Sequence, residues 1–152
     1  ILSVDDARRA VAVGVDGVIV SNHGGRQLDR SVAAIDVLPE IAAAVGMQTV
    51  VMFDSGIRRG ADVAVALSLG ARLCFIGRAA GYGLAAFGTS GARRAVDILR
   101  GELDLVLGQI GCPDVADLGP RFLWDRESRH EAAAPLQAVA NVARAMPAAA
   151  SC

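Results

Sequence analysis

Three short, almost wholly apolar runs constrain this chain more than any other feature: GVIVS (17–21), TVVMFD (49–54) and RLCFIG (72–77). They are rich in β-branched and aromatic residues and do not alternate with polar ones. A strand with one wet face alternates. A strand covered on both faces does not, and parallel sheets flanked by helices produce such strands. The intervening segments carry helix signals. Ser3 is placed as an N-cap, with Asp5 and Asp6 in the first turn and Gly14 as a stop. Ser31 is placed to cap a second helix through Ile35, Leu38 and Ile41 to Gly46, with Pro39 as a point of breakage or kinking. A third helix is expected from about 59 to 69, closed by Gly70. A fourth is expected from about 91 to 110, where Val96, Leu99, Leu103, Val106 and Leu107 form an apolar stripe opposite Asp97, Arg100 and Asp104.

Buried strands alternating with helices are βα units, so the expected class is α/β with a parallel sheet. Three such strands leave sheet edges bare. The sequence also opens without a Met. The expectation is therefore part of a longer polypeptide, with 1–124 belonging to one domain. After Trp124 the pattern fails, and 125–152 is Ala-rich and polar with Pro135 and Pro147. A mobile tail is expected there, with at most one short helix near 136–145.

Composition removes several functions. At 152 residues the chain has the size of one domain, and with 53% hydrophobic residues it can fill a core. A net charge of -1 gives no electrostatic reason for a nucleic-acid partner. No apolar run approaches the roughly 18 residues of a membrane span, and no signal peptide is visible at ILSVDD. None of the three cysteines forms a CxxC pair. Cys74 reads as a buried inert thiol and Cys112 as part of a helix-end turn, which fits a reduced intracellular setting. His130 reads as solvated surface. All 15 basic residues are Arg, so any chemistry that needs a lysine must come from elsewhere.

The residues able to carry chemistry follow the apolar runs, where α/β folds place their sites. The first run ends in Ser21, and Asn22, His23, Gly24, Gly25 and Arg26 follow. Histidine can serve as a general base near neutral pH. An Arg three residues later offers a planar fork for a carboxylate, and the two glycines allow a tight loop. That pairing suits a 2-hydroxy acid, whose reactive carbon adjoins its carboxylate; a polar turn is the plainer alternative. The second run ends in Asp54, and Ser55, Gly56 and Arg58 follow. They can meet sugar-like hydroxyls and a phosphate, or Asp54 and Ser55 can simply cap the next helix. Gly77 at the end of the third run and Arg78 after it can form an anion site or a simple turn. Tyr82 and Phe87 read as packing residues, with Tyr82 close to the phosphate loop.

SNHGGRQLD (21–29) resembles the signature of the FMN-dependent 2-hydroxy acid dehydrogenases and oxidases, a family that includes glycolate oxidase, lactate oxidase and mandelate dehydrogenase. DSGIRRGADV (54–63) is similar to that family's flavin-phosphate loop, and GRA (77–79) to its second phosphate loop. GYGLAAFG (81–88) and QIGCPDVADL (109–118) look most like the mandelate dehydrogenase branch. The likeness runs from Ile1 to about Trp124. It implies the C-terminal portion of a TIM (β/α)8 barrel, with three βα units plus a C-terminal helix. It further implies FMN as cofactor, His23 as base and Arg26 on the substrate carboxylate. Ser21, Asp54, Ser55, Gly56, Arg58, Gly77 and Arg78 would contact the flavin ribityl and phosphate. The preceding half of the barrel, with the family's flavin-contacting lysine, would lie upstream. The resemblance also implies a homo-oligomer, a tetramer in related proteins. It implies a cytoplasmic enzyme, with association to the inner membrane face through a segment outside this chain. Two other readings compete: another phosphate-binding barrel, such as a nucleotide dehydrogenase, and an inactive fragment.

Overall fold

The computed structural model describes residues 1–124; the expected tail, its short helix and His130 lie outside them. The order is α1 (Val4–Ala12), β1 (Gly17–Val20), α2 (Ala34–Val45), β2 (Val50–Phe53), α3 (Gly60–Ser68), β3 (Leu73–Cys74) and α4 (Arg78–Ile110). The strands form one parallel sheet in the order β1-β2-β3. This is the expected run of three βα units followed by a helix.

Local signals explain most boundaries. Ser3 caps α1 by accepting from the Asp6 N–H at 3.2 Å. Gly14 ends it in the left-handed region at φ 86°. Helix α2 starts later than expected: Ala33, not Ser31, is its N-cap and supplies no side-chain bond. The helix continues through Pro39, which is exposed and costs one helical hydrogen bond without ending the run. Strand β3 is shorter than its apolar run, although the Phe75 N–H still donates to Phe53 O at 2.8 Å. Helix α4 begins at Arg78, well before the expected 91, and is broken at Phe87 and Gly88. The break lets its two halves touch at Gly83 and Gly91, where a Cβ on either would stand 2.4 or 2.0 Å from the other's carbonyl oxygen.

The core lies between the sheet and α1 to α3. Val18, Val20, Val51 and Phe53 point into it and meet Ala7, Leu38, Ile41, Val45 and Ala66. Burying each large apolar side chain there contributes about 1.5–3 kcal/mol. The other sheet face differs from the expectation of strands covered on both sides: Ile19, Val50 and Leu73 are 40%, 46% and 47% exposed. The physical reason is that no element among the described residues packs over that face. The outer edge of β1 is paired with backbone, since Ile1 N donates to Ile19 O at 3.0 Å and Ser21 N donates to Ile1 O at 3.3 Å.

Helices α3 and α4 meet through backbone. The Gly60 N–H donates to Glu102 Oε2 at 2.9 Å and Arg59 Nη1 donates to Oε1 at 2.8 Å. The Gly60 N–H, followed by Arg59, holds the Glu102 carboxyl below its usual range. A Cβ on Gly60 would lie 2.1 Å from Leu103 N and 2.4 Å from Glu102 C. Gly60→Ala should therefore destabilise the FMN-loaded protein by about 1–3 kcal/mol, the usual cost of overpacking. Urea unfolding checks this: a midpoint equal to wild type would show that the two helices separate freely.

Candidate active site

The parallel register aligns the ends of the strands. Val20 pairs with Phe53 and Phe53 with Cys74, so Ser21, Asp54 and Phe75 open three neighbouring loops. In the first loop His23, Gly24 and Gly25 have φ values of 54°, 65° and 73°. Glycine adopts these freely, while the left-handed conformation at His23 costs about 1–2 kcal/mol. The neighbouring loop holds this turn. Ser55 Oγ accepts from the Asn22 and Gly24 N–H groups at 3.2 and 3.1 Å, and Ser21 Oγ accepts from the His23 N–H at 3.0 Å. Both hydroxyls donate to Asp54 Oδ2, at 2.5 Å from Ser21 and 3.3 Å from Ser55. Asn22 Nδ2 closes the base of the loop on Val32 O at 3.1 Å. Its Oδ1 is buried without a partner among the described residues.

In the second loop Ser55 and Gly56 are left-handed, at φ 99° and 83°, and Ile57 is buried, anchoring the loop to the core. The capping role considered for Asp54 and Ser55 falls to Asp62, whose Oδ2 accepts from the Arg58 and Arg59 N–H groups at 2.8 Å each. In the third loop Gly77 is the N-cap of α4, which starts at Arg78. The Arg78 guanidinium reaches the first loop: a Cβ on Gly24 would stand 3.5 Å from Arg78 Nη2.

These loops surround an open cavity of about 770 Å³. His23, Arg26, Asp54, Ser55, Gly56, Arg58, Gly77 and Arg78 all line it, so eight of the nine residues singled out from the sequence converge. Ser21 does not line it; its hydroxyl is taken up behind Asp54. Phe75 and Tyr82 line it as well. Tyr82 is 71% exposed and Phe87 is exposed too, so neither is packed as expected among the described residues. Tyr82 falls one helical turn after Arg78, a relation that becomes visible only once α4 is known to start there. Three guanidinium groups, the N-terminus of α4 and one carboxylate make the cavity suited to an anion with hydroxyl groups nearby. Burial pushes the Cys74 thiol up to about 11, so it stays protonated and inert at neutral pH.

Residues 1–125 match the family model described as FMN-dependent dehydrogenase. The chain belongs to that family. It is 48% identical over 123 residues to (S)-mandelate dehydrogenase of Pseudomonas putida, covering 81% of this chain and 31% of the relative. It is 52% identical over 120 residues to the pre-mycofactocin synthase of Mycobacterium tuberculosis, covering 79% and 30% respectively. The crystal structure of the monotopic membrane protein (S)-mandelate dehydrogenase superposes with a TM-score of 0.80 at 47% identity, over 83% of this chain and 33% of that one. The chain thus spans about a third of the length of these relatives. Its fold is a portion of the FMN-dependent TIM-barrel fold, and FMN is the family's cofactor. Among the described residues no helix is long and apolar enough to cross a membrane.

The placement of the arginines generates a test. Arg78 lines the cavity after β3, whereas Arg72 immediately precedes β3 at the opposite end of the sheet. Arg78→Ala should weaken FMN retention roughly tenfold or more, the loss of a charge-assisted contact, and Arg72→Ala should leave it unchanged. Equal dissociation constants by flavin fluorescence titration would contradict a phosphate-binding role for Arg78.

Proposed function

We propose that the protein containing these residues oxidises a 2-hydroxy acid to the 2-oxo acid, with His23 as base and Arg26 binding the substrate carboxylate. The observation that carries this reading is the opening of His23 and Arg26 from one tight turn into the cavity that Arg58, Arg78 and the start of α4 make anionophilic. (S)-Mandelate dehydrogenase bears the name of such a substrate, and pre-mycofactocin synthase does not. The substrate class therefore rests on the His–Arg pair rather than on family membership.

The cavity residues fit FMN chemically. Arg58, Arg78 and the α4 N-terminus would hold the phosphate. Asp54, whose Oδ2 takes the two serine hydroxyls, keeps its second oxygen for the ribityl hydroxyls. Gly56 and Gly77 bring backbone close without a side chain. When bound, FMN supplies the two-electron acceptor. Arg26 fixes the substrate by its carboxylate and so sets the adjacent carbon relative to His23. His23 takes the proton released as that carbon becomes a carbonyl, and the arrangement serves removal from C2 or from the hydroxyl. His23→Ala should lower turnover by about 10² to 10⁴-fold with FMN still bound. Arg26→Lys keeps the charge but loses the fork, and should raise KM and slow flavin reduction. Stopped-flow reduction by (S)-mandelate and other 2-hydroxy acids tests both; near-normal rates in His23→Ala would remove it from the mechanism.

We also propose that the bare sheet face of Ile19, Val50 and Leu73 is covered by a preceding half of the same barrel, which would bring the lysine this chain lacks. Closure of such a barrel needs eight strands. Homo-oligomerisation, and membrane association through a segment outside these residues, belong to the same proposal. Residues 1–152 expressed alone should bind no FMN stoichiometrically. A cooperative monomer that binds FMN and oxidises a 2-hydroxy acid would refute the half-barrel argument.

A further inference from the structure

We infer that Ser55 is a positioning residue for His23, acting through the backbone of the His23 turn; this rests on the reading of His23 as the base. His23 occupies a left-handed backbone conformation, followed by two glycines with the same sign of φ. A turn of this kind persists only where its surroundings over-determine it. Here the determinants are three N–H groups. Two of them, from Asn22 and Gly24 on either side of His23, converge on one atom, Ser55 Oγ. A serine hydroxyl accepts two hydrogen bonds and donates one. Ser55 also lies 3.3 Å from both Asp54 Oδ2 and Ser21 Oγ, so its hydroxyl is shared among the groups at the two strand ends. Asp54 and Ser21 together hold the Ser55 hydroxyl in place, and that hydroxyl receives the peptide N–H groups on either side of His23. The third N–H, of His23 itself, is held in the same way by Ser21.

The position of Ser55 on the chain sharpens the argument. Its φ is 99°, a conformation that favours glycine. The hydroxyl is thus kept at a place where the backbone would be more comfortable without a side chain. Glycine removes the hydroxyl and also the local strain, so Ser55→Gly separates the two effects. A purely structural serine would be replaced by glycine with no loss. A positioning serine would not, because loss of the acceptor leaves the Asn22 and Gly24 N–H groups to water and lets the base wander.

The test uses the FMN-loaded protein at saturating FMN. In Ser55→Gly, single-amide hydrogen exchange should accelerate about tenfold at Asn22 and Gly24, the loss of one ordinary hydrogen bond, and stay unchanged at His23. The rate of flavin reduction by a 2-hydroxy acid should fall about tenfold with KM little altered. Ser55→Ala should shift both readouts in the same direction. Unchanged exchange at Asn22 and Gly24 overturns the inference, as does faster exchange with an unchanged reduction rate. A slow Ser55→Ala beside a normal Ser55→Gly also overturns it, because strain and not the hydroxyl would then be the cause. His23→Ala is measured in parallel. Near-normal turnover there defeats the assignment of the base, and this role with it. A crippled His23→Ala beside an unaltered Ser55→Gly defeats this inference alone.

Discussion

The Asp54 carboxylate, at the end of β2, accepts two hydroxyl hydrogens on one oxygen, and through them it fixes three backbone N–H groups of the neighbouring turn. Most of the site depends on that arrangement. The first loop is polar, largely exposed and glycine-rich, with little apolar contact to hold its shape. What it has is a side chain from each of two strand ends. Ser21 reaches it from its own strand and Ser55 from the next. The two strands are tied by parallel pairing up to Val20 and Phe53, and the Asp54 N–H continues that ladder onto Val20 O at 2.9 Å. The rigidity of the sheet is thus carried into the loop by hydrogen bonds rather than by packing.

The sheet accomplishes this with one covered face. Val18, Val20, Val51 and Phe53 bury themselves against the helices, and that layer is enough to define strand position and register. Register matters here because a shift of one residue would turn the Val20 and Phe53 side chains to the other face. It would also move Ser21 out of reach of Asp54. The same pairing that buries the core therefore aligns the hydroxyls.

Much of this was legible in the residues. The apolar runs gave away the strands because burial is a property of each residue, and His23, Arg26, Asp54, Arg58 and Arg78 stood out because their chemistry is scarce at strand ends. What escaped was relational. The fourth helix was expected only from about 91, and its earlier start rests on the contact of Gly83 with Gly91 after the chain turns at Gly88, which no local pattern contains. Ser31 looked like a cap, yet α2 starts three residues later, beyond the point where Asn22 Nδ2 ties Val32 into the first loop. Asp54 and Ser55 looked like helix caps because they precede α3 closely. Only the fold shows that Asp62 does the capping and that Ser55 turns back across the sheet.

Gly24 shows how closely the parts of the site are joined. Its φ of 65° is the reason for glycine there, and Arg78 Nη2 lies 3.5 Å from the place a Cβ would take, an ordinary contact distance. The Arg78 guanidinium therefore lies beside the turn that carries His23. Arg78 starts α4, so its backbone is anchored by a long helix, whereas the His23 turn has only hydrogen bonds to keep it. Asp54 is linked to the same turn through Ser55 and Ser21. The His23 turn is thus joined to two groups whose own positions are set by helix and sheet.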